Sequence, residues 1–277
     1  MRDPHRPSRP LRILLVSDLH YTLPQLDWVV RAAARFDLVV LAGDHLDISS
    51  AVPLDAQAIV VLRYLALIGG VTRVAVASGN HDLTGPDAQG EQAALWLHQA
   101  ACASVAIDGD SLRIGDTLVT VCPWWDGPLG RARVEAQLQA DAARRPARWL
   151  WVYHWPPLAS PTCWTGKRHY GDAEVGGWIE RFGPDAVLTG HVHEPPFKPA
   201  GAWADRIGPT WVFNSGQQIG PTPAHVVVNT ETREAAWFSL AGAEIVRLDA
   251  PLQRPVPELA ALPAWMASSS GPGPIRV

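Results

Sequence analysis

Short apolar runs alternate with longer amphipathic stretches along most of the chain. Eight of the runs are rich in β-branched residues and end near Gly, Pro, Asp or Asn, which is typical of β-strands. These predicted strands cover residues 12–18, 37–44, 72–80, 117–123, 148–154, 185–191, 210–216 and 224–230. Helices are predicted over residues 26–36, 55–69, 91–100, 131–144 and 173–182. Because near-continuous apolar strands alternate with helices, the pattern predicts an α/β fold with sheets covered on their faces.

The last third of the chain has a different pattern. From Thr210 onward, strand-like runs follow one another with little room for helices, which predicts antiparallel strands that close a second sheet. The segment from Pro251 is rich in Pro, Ser and Gly, and predicts an irregular tail. We therefore expect a domain over residues 11–250 and a C-terminal tail over residues 251–277.

Composition narrows the classes of function. Of the 277 residues, 47% are apolar, and the formal net charge is −4, so the chain can bury a large core and is not basic. This charge counts against a dedicated nucleic-acid binder. The three cysteines fit neither a disulfide framework nor a Cys-x-x-Cys zinc site, and no apolar run reaches the roughly 20 residues that span a bilayer. Since the N-terminal apolar run is also too short for a signal peptide, we expect a cytoplasmic protein with no membrane partner.

Polar side chains follow five of the predicted strands, at the point where each strand ends. They are Asp18 and His20 after the first strand, Asp44 after the second, Asn80 after the third, His154 after the fifth, and His191 and His193 after the sixth. Because ligands bind beyond the carboxyl ends of strands in open α/β sheets, these side chains should meet there. Oxygen and imidazole donors without a thiolate suit Mn²⁺, Fe or Zn²⁺. Seven donors exceed the needs of one ion and predict two ions about 3.5–4 Å apart that share a carboxylate.

The motifs occur in a recognisable order. The series D-x-H, G-D-x-x-D, G-N-H-D, H and G-H-x-H resembles that of the calcineurin-like metallophosphoesterase superfamily, over about residues 12–195. The resemblance implies a four-layer α/β/β/α sandwich of two mixed sheets flanked by helices. It also implies two sets of metal ligands that share Asp44: Asp18, His20, Asp44 and His193 for one ion, and Asp44, Asn80, His154 and His191 for the other.

The same resemblance implies a mechanism. A water molecule bridging the two ions would attack the phosphorus as hydroxide. His81 would face the substrate and protonate the leaving group, and Asp82 would keep its imidazole charged and aligned.

Differences between this sequence and the motifs of individual branches of the superfamily limit the possible substrates. Asp47 stands where phosphatases with a tyrosine-to-iron bond have Tyr, Ile48 where protein phosphatases have Arg, and His81 where the lipid A pathway pyrophosphatases have Arg. The blocks GDHLD, GNHD, HWPP and GHVH look most like class III cyclic-nucleotide phosphodiesterases and their bacterial relatives. This likeness favours a phosphodiester or a small nucleotide-like substrate. A phosphomonoesterase, an Mre11-type nuclease and a metal-free scaffold protein of the same fold remain alternatives.

Two further segments carry residues that suit substrate binding. Trp124 and Trp125 follow a strand, and Lys167 and Arg168 lie between the His154 and GHVH blocks. Aromatic rings beside a phosphate site can stack on a base, and the basic pair can hold a phosphate. Core packing of the tryptophans and a solvated turn for the basic pair are the simpler interpretations of these residues.

Overall fold

A computed structural model describes residues 10–144 and 147–267 of the chain. Its strands are β1 (Arg12–Val16), β2 (Leu38–Ala42), β3 (Arg73–Ala77), β4 (Gly85–Pro86), β5 (Gln92–Ala93), β6 (Val105–Ala106), β7 (Ser111–Ile114), β8 (Thr117–Val121), β9 (Arg148–Val152), β10 (Ala186–Thr189), β11 (Ala204–Ile207), β12 (Thr210–Asn214), β13 (His225–Asn229), β14 (Glu234–Ser239) and β15 (Gly242–Arg247). Its α-helices are α1 (Leu23–Ala33), α2 (Leu54–Gly69), α3 (Pro128–Ala142), α4 (Ala173–Phe182) and α5 (Ala264–Ala267). Short 3₁₀-helices cover Asn80–Asp82, Leu95–Ala100, Pro161–Cys163 and Pro195–Phe197.

The strands form two large mixed sheets and one short hairpin. The first sheet has the order β15-β14-β13-β1-β2-β3-β6, and its strands β1, β2, β3 and β6 are parallel. The second has the order β11-β12-β10-β9-β8-β7, with β12, β10, β9 and β8 parallel and an antiparallel strand at each edge. The parallel strands of each sheet therefore end together at one edge.

Alternation of side chains along the strands defines the layers. Leu14 and Val16 of β1 pack in the cluster that contains α1 and α2, whereas Ile13 and Leu15 pack between the two sheets. On the outer face of the second sheet, Trp149 and its neighbours pack against α3 and α4. The order of layers is helices, first sheet, second sheet, helices, so the expected α/β/β/α sandwich is confirmed.

Two local predictions are wrong. The strands after residue 224 do not close a second sheet. β13 pairs antiparallel with β1, β14 pairs with β13, and β15 pairs with β14, so all three belong to the first sheet. Residues 91–100 do not form an α-helix but the short strand β5 and a 3₁₀-helix. Glu91 instead reaches α3, where its carboxylate accepts hydrogen bonds from the backbone N–H groups of Leu129 at 2.8 Å and Gly130 at 2.5 Å.

The described part of the tail lies along β15. The backbone N–H of Ile245 donates to Pro257 at 3.0 Å, and that of Leu259 donates to Ala243 at 2.8 Å. Residues 268–277 lie outside the described residues, and the domain boundary at residue 250 stays a prediction. Within residues 10–144 and 147–267, no helix has the length and apolar character to cross a bilayer.

Candidate metal centre

The loops after β1 and β2 are joined through their backbones. The N–H of Asp18 donates to Gly43 at 3.1 Å, and the N–H of His20 donates to Asp44 at 3.0 Å. Asp18, His20, Asp44 and His191 all have positive φ angles, of 55°, 42°, 54° and 67°. Non-glycine residues seldom adopt this conformation, and such strain concentrates at functional sites. The backbone here is held in an unfavourable conformation that turns these side chains toward one another.

The first group of donor atoms comprises Asp18, His20 and His193. One atom from each lies within 4.8 Å of the others, an arrangement that could hold a metal ion. Nε2 of His193 lies 3.4 Å from Oδ1 of Asp18 and 3.1 Å from Nε2 of His20. The buried Asp18 carboxylate also accepts the backbone N–H of His191, at 2.9 and 3.1 Å to its two oxygens. The loops after β1 and β10 therefore meet, although they belong to different sheets.

Asp44, His154 and His191 form a second group that could hold an ion. Nε2 of the fully buried His154 lies 3.3 Å from Oδ2 of Asp44. Nδ1 of His154 lies 2.5 Å from the backbone oxygen of Ala42, to which it donates. This bond keeps a proton on Nδ1, so Nε2 is the ring nitrogen that could bind an ion, as in many metal-ligating histidines.

Several buried polar atoms of this cluster have no hydrogen-bond partner. Among the described residues they are Oδ1 of Asn80, Nδ1 of His81, Nε2 of His154 and both ring nitrogens of His191. A buried polar atom without a partner is costly and rare in folded proteins. Since these atoms are amide oxygens and imidazole nitrogens, a transition-metal cation would satisfy several of them at once. The donor set therefore fits a metal centre.

Burial and neighbouring charges set the protonation states of the second group. Burial opposes ionisation of Asp44, but the charge of His154 outweighs it and lowers the pKa of the Asp44 carboxyl. Burial, followed by the charge of His154, lowers the pKa of His191 to about 3. Asp44 is therefore a carboxylate and His191 a neutral imidazole at neutral pH, the protonation states that bind metals. Burial opposes the charged form of His154, but the charge of Asp44 outweighs it and raises the pKa of His154 to about 9, so an ion that binds there displaces a proton from His154.

Asp82 has a different environment from the one expected. Its buried carboxylate accepts backbone N–H groups from His45 at 2.9 Å, Leu46 at 3.0 Å and Gly79 at 2.8 Å. The backbone N–H of the neighbouring His81 donates to a different carboxylate, Oδ1 of Asp44, at 2.9 Å. Both Asp82 oxygens are thus engaged by the loops after β2 and β3, so Asp82 shapes those loops and is not bonded to the His81 imidazole.

The end of β12 and the segment that follows it also support the centre, and sequence reasoning missed them. Asn214 donates from Nδ2 to the backbone oxygen of Val192 at 2.9 Å, and Gln217 donates from Nε2 to that of Asp18 at 3.2 Å. The hydroxyls of Ser17 and Ser215 lie 2.9 Å apart. The sequence does contain an indication of this role: the polar run NSGQQ comes at the end of an apolar run, as the recognised motifs do.

Three aromatic rings surround His191. The ring centroids of Trp124, Trp155 and Tyr170 lie 5.1, 5.2 and 5.2 Å from that of His191. Trp124 and Trp155 are stacked, with centroids 4.9 Å apart. Trp124 therefore packs against the cluster itself. Trp125, in contrast, packs at the edge of the core between the second sheet and α3 and α4.

Glycine is required at position 79 for space. Its φ of −112° is open to any residue, but a Cβ there would lie 2.2 Å from Oδ1 of Asp44 and 2.7 Å from Nε2 of His154. We expect Gly79→Ala to cost about 1–3 kcal/mol of folding stability through overpacking and to reduce metal binding. The matched control is Gly176→Ala in α4, where an added Cβ meets no atom within 4 Å. Thermal unfolding and metal analysis of both variants test this, and equal metal content in the two would contradict it.

Comparison with known proteins agrees with this architecture. The sequence profile of the family described as calcineurin-like phosphoesterase matches residues 11–195. A comparison with curated protein sequences gives no significant match. Among solved structures, the protein TT1561 of Thermus thermophilus has a TM-score of 0.57 at 16% identity, over 87% of this chain and 100% of that one. Purple acid phosphatase PPD1 from yellow lupin (Lupinus luteus) seeds has a TM-score of 0.54 at 12% identity, over 87% of this chain and 52% of that one.

At these identities the two structures show a shared fold alone, and this chain spans about half of the lupin enzyme. The profile match is more specific, because it covers most of the chain and includes every strand end that contributes a candidate metal ligand. The chain belongs to the calcineurin-like phosphoesterase family.

Proposed function

We propose that this protein hydrolyses phosphodiesters or small nucleotide-like phosphoesters with the help of two transition-metal ions. The observation that carries the proposal is the position of Asp44 between two groups of donors. Its Oδ2 lies 3.3 Å from Nε2 of His154 in one group and 3.8 Å from Nε2 of His20 in the other. A carboxylate in this position can bridge two ions.

The ligand sets follow from this placement. The ligands that we assign to one ion are Asp18, His20, Asp44 and His193, and those of the other are Asp44, Asn80, His154 and His191. Buried atoms of Asn80, His154 and His191 that lack a hydrogen-bond partner support the second set. Oxygen and imidazole donors favour Mn²⁺, Fe or Zn²⁺. When bound, such ions neutralise phosphoryl oxygens and make a water molecule nucleophilic near neutral pH.

His81 is the proposed general acid. Its backbone N–H is fixed by Asp44, and its ring centroid lies 4.5 Å from that of His20. It is therefore placed beside the first group of donors, and no hydrogen bond holds its Nδ1. An imidazole in this position can donate a proton to the leaving ester oxygen.

The proposed substrate class rests on residue identities near the cluster. Asp47 and Ile48 differ from the branches that dephosphorylate proteins or bind iron through tyrosine. The blocks GDHLD, GNHD, HWPP and GHVH resemble those of cyclic-nucleotide phosphodiesterases, and this likeness favours a diester. A complete set of donors argues against a metal-free scaffold protein. The three cysteines are free, and Cys102 is exposed, which supports a reducing compartment such as the cytoplasm.

A substrate screen tests the proposed function. With Mn²⁺ added, bis(p-nitrophenyl) phosphate should be hydrolysed at least as fast as p-nitrophenyl phosphate, and a chelator should abolish both activities. A phosphoserine peptide serves as the comparison substrate. A clear preference for that peptide in a parallel assay would overturn the choice of a diester.

A further inference from the structure

The protein's two lysines lie beside one another at the edge of the candidate metal centre. Of its 23 basic residues, only Lys167 and Lys198 are lysines. A Cβ added at Gly166 would lie 3.4 Å from Cγ of Lys198, so the Lys198 side chain lies over the turn that carries Lys167. Nε1 of Trp164 donates to the backbone oxygen of Pro199 at 3.1 Å and joins the two loops. The two ammonium groups are therefore presented from adjoining loops.

The turn that carries Lys167 and Arg168 is held by its own hydrogen bonds. The backbone N–H of Thr165 donates to Arg168 at 3.0 Å, and the Thr165 hydroxyl donates to the same oxygen at 2.9 Å. Gly166 has a φ of 86°, a conformation that glycine adopts without strain. Lys167 and Arg168 thus project from an ordered turn, and both are exposed.

A short series of ring contacts connects this turn to the metal-ligand cluster. The Arg168 guanidinium carbon lies 5.4 Å from the centre of the Tyr170 ring, and that ring lies 5.2 Å from His191. The ring contacts of Tyr170 are with Trp155 and His191, not with His81. The cations therefore lie on the side of the cluster that holds His191.

These cations have no counter-ion within the described residues. Lys167, Arg168 and Lys198 make no ion pair there, whereas Arg131 and Arg181 each pair with a glutamate. Unpaired cations on adjoining loops repel each other. A group of them is unexpected in a chain whose net charge is −4, where carboxylates outnumber lysines and arginines. Such a cluster is stabilised when an anion binds, and lysine and arginine groups are common phosphate ligands.

We infer that Lys167, Arg168 and Lys198 bind a second phosphate of the substrate, remote from the scissile phosphorus. This inference rests on the proposed function. With His81 on the leaving-group side, the second phosphate belongs to the part of the ester that is retained on the other side, near His191. A small nucleotide with two phosphates fits this description, because the cations belong to two adjoining loops and are not spread along a basic stripe for a strand.

The test uses two esters that differ only in the remote phosphate. Thymidine 5′-(4-nitrophenyl phosphate) and its 3′-phosphorylated derivative release the same nitrophenolate, and both retain the nucleoside. Wild-type enzyme should hydrolyse the 3′-phosphorylated ester with a kcat/KM about tenfold higher, since three exposed charge pairs contribute about two- to threefold each. The difference should lie in KM and should shrink as the ionic strength rises.

A triple variant, Lys167→Gln with Arg168→Gln and Lys198→Gln, should hydrolyse the two esters about equally. Its activity on the ester without the 3′-phosphate should stay within about twofold of wild type, because that ester does not reach the cations. The matched control is Arg63→Gln, which removes an exposed cation from α2 on the outer side of the first sheet. This control should keep the wild-type preference.

The outcomes separate the inference from the proposed function. If wild type cleaves both esters equally well, the second-phosphate site is wrong and the proposed function stands. If the metal-loaded enzyme cleaves bis(p-nitrophenyl) phosphate but neither thymidine ester, the inference is wrong and the proposed function stands. If it cleaves none of the three esters, the proposed function fails and the inference fails with it. If oligothymidylate inhibits more strongly than thymidine 3′,5′-bisphosphate and the triple variant removes that difference, the cations bind a nucleic-acid strand, and the assignment to a small nucleotide is overturned.

Discussion

Asp44→Asn should bind less than one transition-metal ion per chain and lose at least about 10³-fold in activity, because a bridging carboxylate serves both ions. The neutral amide removes the negative charge that His20 and His154 face, at 3.8 and 3.3 Å. The amide also retains an oxygen that can accept the backbone N–H of His81, so the loop after β3 should keep its position. Metal analysis and hydrolysis of bis(p-nitrophenyl) phosphate measure the two effects.

Asp47→Asn is the matched control for Asp44→Asn. It makes the same chemical change three residues away, at a carboxylate that accepts the hydroxyl and backbone N–H of Ser49 at 2.7 and 2.8 Å. This carboxylate lies outside the groups of described residues that could hold an ion. We expect Asp47→Asn to retain both ions and most of its activity. Full occupancy of both sites in Asp44→Asn would remove the bridging assignment.

The sequence predicted the strands well because most of them are buried on both faces. Along β1 and β2, nearly every residue packs either against helices or against the other sheet, so the apolar runs are almost uninterrupted. Their ends are equally clear, because polar side chains follow at once where the strands reach the ligand-binding edge. The positions of Asp18, Asp44 and His191 at one edge follow from this regularity.

The pattern of apolar and polar residues could not predict contacts between segments that are distant in the sequence. Residues 91–100 have good helix formers, but Glu91 bonds to the start of α3, and Nε1 of Trp96 donates to the backbone oxygen of Asp82 at 2.9 Å. These tertiary contacts override local propensity. The pairing of β13 with β1 was likewise hidden, because alternation of apolar residues shows that a strand has a buried face and does not identify its neighbour.

The role of Asp82 was obscured for a similar reason. Its position directly after His81 suggested a partner for the imidazole, since adjacent acid and base residues often cooperate. In the 3₁₀-helix over Asn80–Asp82, the carboxylate turns back to the N–H of Gly79 and across to the loop of His45. Only the conformation of this turn decides where the side chain goes.

His81→Ala should slow the hydrolysis of esters with poor leaving groups by about 10²–10⁴-fold, because a ribose alkoxide must be protonated as it leaves. Nitrophenyl esters should lose less than about tenfold, since nitrophenolate leaves as a stable anion. The measurement is a pair of rates on one variant, with a 3′,5′-cyclic nucleotide and with bis(p-nitrophenyl) phosphate.

Metal analysis of the same variant distinguishes an acid from a ligand. His81 has donor atoms within 4.8 Å of those of His20 and Asp44, so the distances alone would also allow it to bind an ion. A general acid must keep its imidazole free for a proton, and His81→Ala should therefore retain the wild-type metal content, whereas His154→Ala should lose an ion. Equal rate losses on both esters with intact metals would mean that His81 stabilises the phosphoryl oxygens. Loss of an ion would make it a ligand, and the leaving group would then need another source for its proton.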